Sequence, residues 1–289
     1  MSTVRHPHAA TREVSAVLRR RRTLLVATLS ALAVAAAAIV LVVALTGGSR
    51  SWYGDPFDRF PGGGSRGTEP QVVGAPDPRS QTTRFLTFVV GDIQGYWARE
   101  FRRSDRRYVP AQVVVFRRAL PTPCGTASAA TGPFYCRLDA NVYLDLGFFR
   151  ELAVRFHAPG DFAQAYVLAH EIGHHVQDLL GIAQAADRAV ADGDVPAQVV
   201  SIGLELQADC LAGVWAHSTY ERRLLESGDL DEALRAAAAV GDDRIQRQTV
   251  GRVIPETWTH GSSEQRRSWF LRGFEHGEPS ACDTLSEAT

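Results

Sequence analysis

The sequence predicts an α+β fold in which a small β region precedes a helical body. Two short runs, residues 111–116 and 141–149, have the β-branched or alternating pattern of strands. From residue 160 onward, several segments carry apolar residues at helical spacing together with residues that start or stop helices. No internal repeat is visible, so we expect these regions to pack as one domain.

The N-terminal region predicts a membrane anchor. Four arginines, Arg19 to Arg22, precede residues 23–46, a run of 24 residues without a charge. A span of about 20 apolar residues crosses a bilayer, whereas the apolar core of a cleaved signal peptide has about 7–15 residues. We therefore expect residues 1–22 in the cytoplasm, a transmembrane helix over 23–46 and the rest of the chain outside the cytoplasm. A cleaved signal sequence is the alternative.

A flexible linker is expected over residues 47–83. Residues 47–82 contain eight glycines and five prolines, a density that does not support packing. The folded domain is then expected to cover residues 84–289. It opens with a helix, because apolar and aromatic residues in the segment 84–103 recur at helical spacing.

The remaining elements are predicted from local patterns. Residues 111–116 predict a strand, and residues 141–149 predict an edge or half-buried strand because their apolar side chains alternate. A helix over 162–180 is expected to begin with a capping box of Asp161 and Gln164 and to end at Gly181. Three further helices follow, and their predicted boundary residues are Pro196, Asp229 with Glu232, and Gly277.

The charge balance of the chain argues against one class of partner. The net charge is −1, so the protein has no positive field for a nucleic acid. With 45% hydrophobic residues in 289, the chain can bury a sizeable core. We expect no nucleic-acid partner.

The residues "HEIGH" at 170–174 predict a zinc site. On a helix, His170 and His174 lie one turn apart on the same face, so both imidazoles can reach one metal ion. Glu171 is rotated around the helix, in the position of a general base that takes a proton from water. Because this pattern also arises by chance, the interpretation requires a third ligand.

A third ligand is available in "LELQADC", residues 204–210. The metzincin extension, which requires glycine at Gln177 and histidine at Leu180, is absent. Glu205 can supply a carboxylate to the metal, and Asp209, one turn along, can accept the free N–H of a ligating histidine. The apolar residues around the pair argue against a solvated face. The longer side chain favours Glu205 as the ligand, and the reverse assignment stays open.

The chain resembles the bacterial neutral zinc metallopeptidase family, a group of membrane-anchored peptidases with a zincin-like core. The similar motifs, within residues 82–285, are "GPFYC", "VYLDLGFF", "AHEIGHHVQDLLGI", "LELQADCLAGVWA", "GDDRIQ" and "CDT". The resemblance implies a zincin-like fold and Zn²⁺ as the cofactor. It also implies that His170, His174 and Glu205 are the metal ligands and that Glu171 is the catalytic base.

The four cysteines predict disulfides, because their number is even and the domain is expected outside the cytoplasm. No C-x-x-C pair is present, so a second zinc site is not expected. The residues leave three pairings open. Proximity and the layout of the family favour Cys124 with Cys136 and Cys210 with Cys282.

His260 is a further candidate for the site. It lies in "WTHGSSEQR", a Gly/Ser turn ahead of a capped helix, where a loop side chain can reach a cleft. Its side chain would either stabilise the oxyanion of a tetrahedral intermediate or only structure the turn.

The sequence as a whole predicts a membrane-anchored zinc peptidase that acts on peptides or proteins of the cell envelope. The predicted strand at 141–149 would offer an edge for the substrate backbone. The alternative is a non-catalytic zinc-binding domain that scaffolds or recognises envelope proteins. Glu171 favours the enzyme, because a structural zinc is closed by four protein ligands and needs no base.

Overall fold

The structure, a computed structural model, describes residues 72–74, 77, 80–128 and 130–285. The predicted cytoplasmic segment and transmembrane helix therefore lie outside the described residues, as does most of the predicted linker. Within the described part, Ala197–Glu221 is the one helix long and apolar enough to cross a membrane. Its most apolar window is 72% buried inside the protein, so it is a core helix here.

The described chain contains a small β region and a larger helical body, as the sequence predicts. The strands are β1 (Val72–Val73), β2 (Gln112–Phe116), β3 (Leu120–Thr122), β4 (Gly125–Ala127), β5 (Phe134–Cys136) and β6 (Asn141–Asp145). The helices are α1 (Gln81–Arg103), α2 (Leu146–Val154), α3 (Asp161–Leu179), α4 (Ile182–Ala191), α5 (Ala197–Glu221), α6 (Asp229–Ala239), α7 (Asp242–Thr249) and α8 (Ser263–His276). Two short 3-10 helices span Pro255–Thr257 and Pro279–Cys282.

The main sheet has the strand order β1-β2-β6-β5, and β3 and β4 form a separate hairpin. Strand β6 pairs parallel with β2 and antiparallel with β5, so it is an interior strand. The prediction of an edge or half-buried strand over 141–149 is therefore wrong, because the strand is paired on both sides, ends at Asp145 and is buried over its last four residues. Its alternation ends where helix α2 begins, because the Asp145 carboxylate accepts the backbone N–H of Gly147 and caps that helix. The edge of the described sheet on this side is β5.

The folded part begins earlier than its expected start at residue 84. Val72 and Val73, which the sequence assigns to the linker, pair with β2. Helix α1 begins at Gln81, because the Ser80 hydroxyl accepts the backbone N–H of Thr83 and caps it. A two-residue strand among glycines and prolines is too short to give a periodic signal.

Helices α3 and α6 begin differently from the prediction. Both follow a glycine with positive φ, and Asp161 and Asp229 are the first helical residues and not the caps. The carboxylate of Glu232 instead accepts the backbone N–H of Phe162 at 3.1 Å, so α6 caps the first turn of α3. The two predicted capping boxes are therefore wrong: a residue distant in sequence caps α3, and no side chain among the described residues caps the start of α6.

The long helix α5 lies at the centre of the helical body and is contacted closely by α3 and α8. A β-carbon added to Gly273 of α8 would lie 1.9 Å from the carbonyl oxygen of Cys210. One added to Gly213 of α5 would lie 2.0 Å from the carbonyl oxygen of Phe270. The backbones of α5 and α8 therefore touch directly at a pair of glycines.

Both favoured disulfides are present. Cys124, in the turn between β3 and β4, is bonded to Cys136 of β5. Cys210 of α5 is bonded to Cys282 of the last 3-10 helix, 72 residues later. The second bond ties the C-terminal segment to the same helix that carries Glu205.

Candidate metal centre

Three predicted ligands converge between α3 and α5. One ligand atom from each of His170, His174 and Glu205 lies within 4.8 Å of the other two. The Glu205 carboxylate lies 3.2 Å from Nε2 of His170 and 3.4 Å from Nε2 of His174. Two ligand atoms bound tetrahedrally at about 2.0–2.1 Å from one zinc ion lie about 3.4 Å apart. The three donors therefore fit a single zinc ion.

The two ligand helices can approach because of a glycine. Gly173 lies between the two histidines on α3, and a β-carbon there would be 3.1 Å from the Cα and the carbonyl oxygen of Ala208. Larger side chains at this position would push α5 away from α3. The glycine in "HEIGH" therefore brings Glu205 within reach of the histidines.

Asp209 lies behind His170, as the sequence predicts. Its Oδ1 is 2.8 Å from Nδ1 of His170, and the carboxylate is completely buried. Arg266 of α8 donates to both oxygens, at 2.7 and 3.0 Å, and Tyr166 donates to Oδ1. Burial alone would raise the pKa of Asp209, but the charges of Arg266 and His170 hold it below its usual value. The carboxylate thus stays ionised and fixes the ring of His170.

The pKa of His170 is raised, because the ring lies beside the ionised carboxylate of Asp209. Burial by itself would lower the pKa of this imidazole, but the charge of Asp209 and hydrogen bonds to Asp209 and Glu205 raise it to about 10. The metal-free ring is therefore protonated at neutral pH. Since a metal binds the neutral imidazole, binding must displace this proton.

Glu171 lies in the wall of an open cleft of about 950 Å³ that also contains the three candidate ligands. The residue is 8% exposed. It makes no hydrogen bond and no ion pair with the described residues. Its carboxylate is therefore available to a water or a substrate in the cleft.

His260 also lines this cleft. The buried carboxylate of Asp242 fixes the loop, because its Oδ2 accepts the backbone N–H groups of Thr259, His260 and Gly261 at 2.7, 2.6 and 3.1 Å. Its Oδ1 lies 3.1 Å from Nδ1 of His260, and this hydrogen bond raises the pKa of the imidazole. The contact directs Nδ1–H toward Asp242, and Nε2 makes no hydrogen bond with the described residues.

The other walls of the cleft carry apolar side chains together with the charged side chains of Arg137, Glu151 and Arg155. Strand β5 contributes Phe134 and Tyr135 at the edge of the sheet. The remaining large apolar side chains in the lining are Phe148, Phe156, Val167, Leu204, Val240 and Ile245. The cleft therefore combines a polar centre with surfaces that suit apolar groups.

The structure brings all the predicted residues of the site to one place, and it adds some that the sequence analysis missed. His170, Glu171, His174, Glu205 and His260 line the cleft, and the disulfide-bonded cysteines lie outside its lining. Arg266 and two glutamines, Gln177 and Gln207, were missed. Arg266 shares the buried stripe of α8 with Phe270 and Gly273. An arginine at core spacing was therefore the available signal of a buried acidic partner.

Comparison with known proteins gives a consistent result. A family model described as "Putative neutral zinc metallopeptidase" matches residues 26–285. The chain is similar to "Uncharacterized protein YpfJ" of Escherichia coli K12, with 43% identity over 230 residues, 75% of this chain and 80% of that protein. It is also similar to "Uncharacterized protein Rv2575" of Mycobacterium tuberculosis H37Rv, with 47% identity over 192 residues, 63% of this chain and 64% of that protein. No solved structure matches the chain.

Proposed function

This chain belongs to the putative neutral zinc metallopeptidase family, and on that premise we propose that it is a membrane-anchored zinc peptidase. His170, His174 and Glu205 bind the metal, and Glu171 is the general base. The observation that carries the proposal is the convergence of three ligand atoms within 4.8 Å beside an unpaired carboxylate in an open cleft. Both a closed structural zinc site and a solvated acidic surface lack this combination.

His170, His174 and Glu205 would hold the zinc ion, which would supply Lewis-acid chemistry to a water and to a peptide carbonyl. Glu171 accepts a proton from the attacking water and passes it to the leaving amine. His260, with Nδ1 held by Asp242, presents Nε2 to the oxygen on which negative charge develops. Its raised pKa supports this role, because the protonated ring donates from Nε2.

The substrate is a peptide or protein of the cell envelope, and its backbone pairs with strand β5. This strand replaces residues 141–149 as the docking edge, since β5 is one of the two edges of the described sheet and is the one that lines the cleft. The apolar walls favour a substrate with a large apolar side chain near the scissile bond. This part of the proposal rests on a zincin-like fold, in which the edge strand, here β5, lies beside the helix that carries the two histidine ligands, here α3.

The location of the protein is proposed from its sequence. Residues 23–46 anchor it in the cell membrane, with residues 1–22 in the cytoplasm and the folded domain outside it. The two disulfides support this location, because disulfides persist in oxidising compartments.

The test is the Glu171→Gln variant. It should retain zinc and the fold but lose hydrolysis by several orders of magnitude, because the base is removed and the metal ligands remain. The readout is mass spectrometry of peptides released from envelope proteins, with bound zinc measured on the same samples. Glu275→Gln, an exposed acid on α8, is the matched control and should behave as wild type.

Two outcomes would contradict the proposal. Equal peptide release by the Glu171→Gln and wild-type proteins would remove Glu171 from the mechanism. A zinc-loaded wild-type protein that releases no peptide beyond the background would favour the non-catalytic zinc-binding domain.

A further inference from the structure

A chain of buried amide groups runs from His174 to the C-terminal segment. Nδ1 of His174 lies 2.8 Å from Oε1 of Gln177. Nε2 of Gln177 donates to the carbonyl oxygen of Leu204 at 2.7 Å and to Oε1 of Gln207 at 3.1 Å. Nε2 of Gln207 in turn donates to the carbonyl oxygen of Cys282 at 2.8 Å. Both glutamines are buried, since Gln177 is 1% exposed and Gln207 is 4% exposed.

Two backbone carbonyls fix the direction of this chain. A carbonyl oxygen only accepts, so the end of Gln177 that faces Leu204 must be its NH2 group. By the same argument, the end of Gln207 that faces Cys282 must be its NH2 group. Oε1 of Gln177 therefore faces His174, and an oxygen without hydrogen requires that Nδ1 of His174 carries the proton. The lone pair of His174 then lies on Nε2, the nitrogen that points toward Glu205.

We propose that Gln177 is a positioning residue of the metal centre, and that Gln207 and the C-terminal segment tethered by the Cys210–Cys282 disulfide hold Gln177 in place. This inference rests on the proposed function in one respect, that His174 is a metal ligand. The arrangement prepares the metal-binding tautomer of His174 before any metal arrives.

Gln177 also links the two ligand helices. It lies on α3, one turn after His174, and it bonds the backbone of Leu204 on α5. Leu204 directly precedes Glu205 in the chain. One side chain therefore orients a histidine ligand and fixes the helical turn that carries the carboxylate ligand. The other histidine ligand, His170, depends instead on the charged group of Asp209.

The C-terminal segment holds the far end of the chain of amides. Cys282 is bonded to Cys210 on α5, and Thr284 donates to the carbonyl oxygen of Gly203. These contacts place the carbonyl of Cys282 against Gln207, one turn from the disulfide on the same helix. Removal of the amide of Gln207 would leave Gln177 with Leu204 as its only acceptor on α5.

The main experiment compares zinc affinity of the purified 289-residue chain and its variants by competition with a chromophoric chelator. Gln177→Leu keeps the size of the side chain but removes the acceptor, so zinc affinity should fall about 10–100-fold. Gln207→Leu removes a contact of Gln177 and not of His174, so its zinc affinity should fall less than that of Gln177→Leu. Gln177→Glu keeps an acceptor for Nδ1–H but loses the donor to Leu204, so it should recover only part of the affinity lost in Gln177→Leu.

Gln94→Leu is the matched control. Gln94 is 2% exposed and bonds the backbone of Ala111 and the hydroxyl of Tyr108, and none of these groups is hydrogen-bonded to His170, His174 or Glu205. The same substitution of an equally buried glutamine should lower the free energy of unfolding without changing zinc affinity. A loss of zinc affinity in Gln94→Leu equal to that in Gln177→Leu would overturn the proposal, because the effect would then be one of stability.

A second measurement concerns the metal-free chain and does not depend on zinc binding. Long-range ¹H–¹⁵N NMR of histidine rings reports the tautomer of His174 when its ring is neutral, with His174→Ala used to assign the signal. The wild type should show the Nδ1–H tautomer, and Gln177→Leu should show a mixture. A wild-type ring with its proton on Nε2, or no change in the variant, would overturn the proposal.

The two measurements separate the inference from the proposed function. If His174→Ala binds zinc as tightly as the wild type, the ligand assignment fails, whatever the tautomer is. If His174→Ala loses zinc but Gln177→Leu binds it within about twofold of the wild type, the ligand assignment stands and the positioning role fails.

Discussion

At the scale of the residue, the two acids of α5 have different surroundings that separate their roles. Glu205 faces two histidine Nε2 atoms in the cleft, whereas Asp209 is fully buried and paired with Arg266. The reverse assignment, open from the sequence, would require Asp209 to leave this ion pair. The geometry therefore favours Glu205 as the ligand and Asp209 as the group that orients His170.

Alanine variants of the two acids should differ in both zinc affinity and stability. Glu205→Ala should abolish tight zinc binding with little loss of fold stability. Asp209→Ala should weaken zinc binding about 10–100-fold and also destabilise the fold by about 3–5 kcal/mol, because Arg266 is left buried without its main partner. Zinc titration and urea unfolding of both variants measure this difference. Loss of zinc by Asp209→Ala with retention by Glu205→Ala would reverse the assignment.

The residue scale also shows what the sequence could predict of the site. The spacing of His170 and His174 is local, because one helical turn fixes which side chains share a face. Asp209 was found because its chemistry completes a histidine ligand. Gln177 and Arg266 were missed because their roles depend on which backbone carbonyl or carboxylate lies opposite them, and no local pattern contains that information.

At the scale of the element, the contact between α5 and α8 depends on glycine. Gly273→Ala should destabilise the fold by about 1–3 kcal/mol or more, because its β-carbon would overlap the carbonyl oxygen of Cys210 and separate the helices. Gly95→Ala is the control, since its β-carbon would meet only the end of the Arg99 side chain at 3.6 Å. That variant should be stabilised by about 0.5–1 kcal/mol. Urea unfolding measures both, and a destabilised Gly95→Ala or an unchanged Gly273→Ala would contradict this packing.

The ends of elements could be predicted where one residue type decides them. Gly181 and Gly277 follow their helices in the left-handed conformation, at φ 72° and 68°, so these predicted ends are confirmed. The start of α3 could not be predicted, because Glu232 of another helix supplies its cap. The interior position of β6 also escaped prediction, since its neighbour β5 has only three residues and gives no periodic signal.

At the scale of the whole molecule, stability depends on whether His170 binds a proton or zinc. The pKa of His170 is raised to about 10 in the metal-free folded chain, against about 6.5 for an ordinary histidine. A raised pKa means that the protonated ring stabilises the metal-free fold below about pH 6.5. This contribution is lost as the pH rises through about 10.

Zinc should therefore stabilise the protein more strongly as the pH rises. Each binding event below about pH 10 displaces the proton of His170, so zinc affinity should rise about tenfold per pH unit. Thermal unfolding with zinc and with a chelator, at about pH 7 and about pH 9, should show a larger zinc-induced rise in Tm at the higher pH. His170→Ala should show little zinc-induced rise at either pH. A zinc effect independent of pH in the wild type would mean that His170 is neutral before the metal binds.

The tie between the C-terminal segment and α5 has a consequence for the order in which the protein is made. A ribosome adds residues from the N-terminus, so a nascent chain contains His170, His174 and Glu205 well before it contains Arg266 and Cys282. During that interval Asp209 lacks its buried partner Arg266, and α5 has no covalent bond to the C-terminal segment. An interrupted translation product would thus carry the three candidate metal ligands and still lack the contacts made by Arg266 and Cys282. The last part of the chain to be translated is therefore the part that supplies Arg266 and the Cys210–Cys282 disulfide to the candidate site.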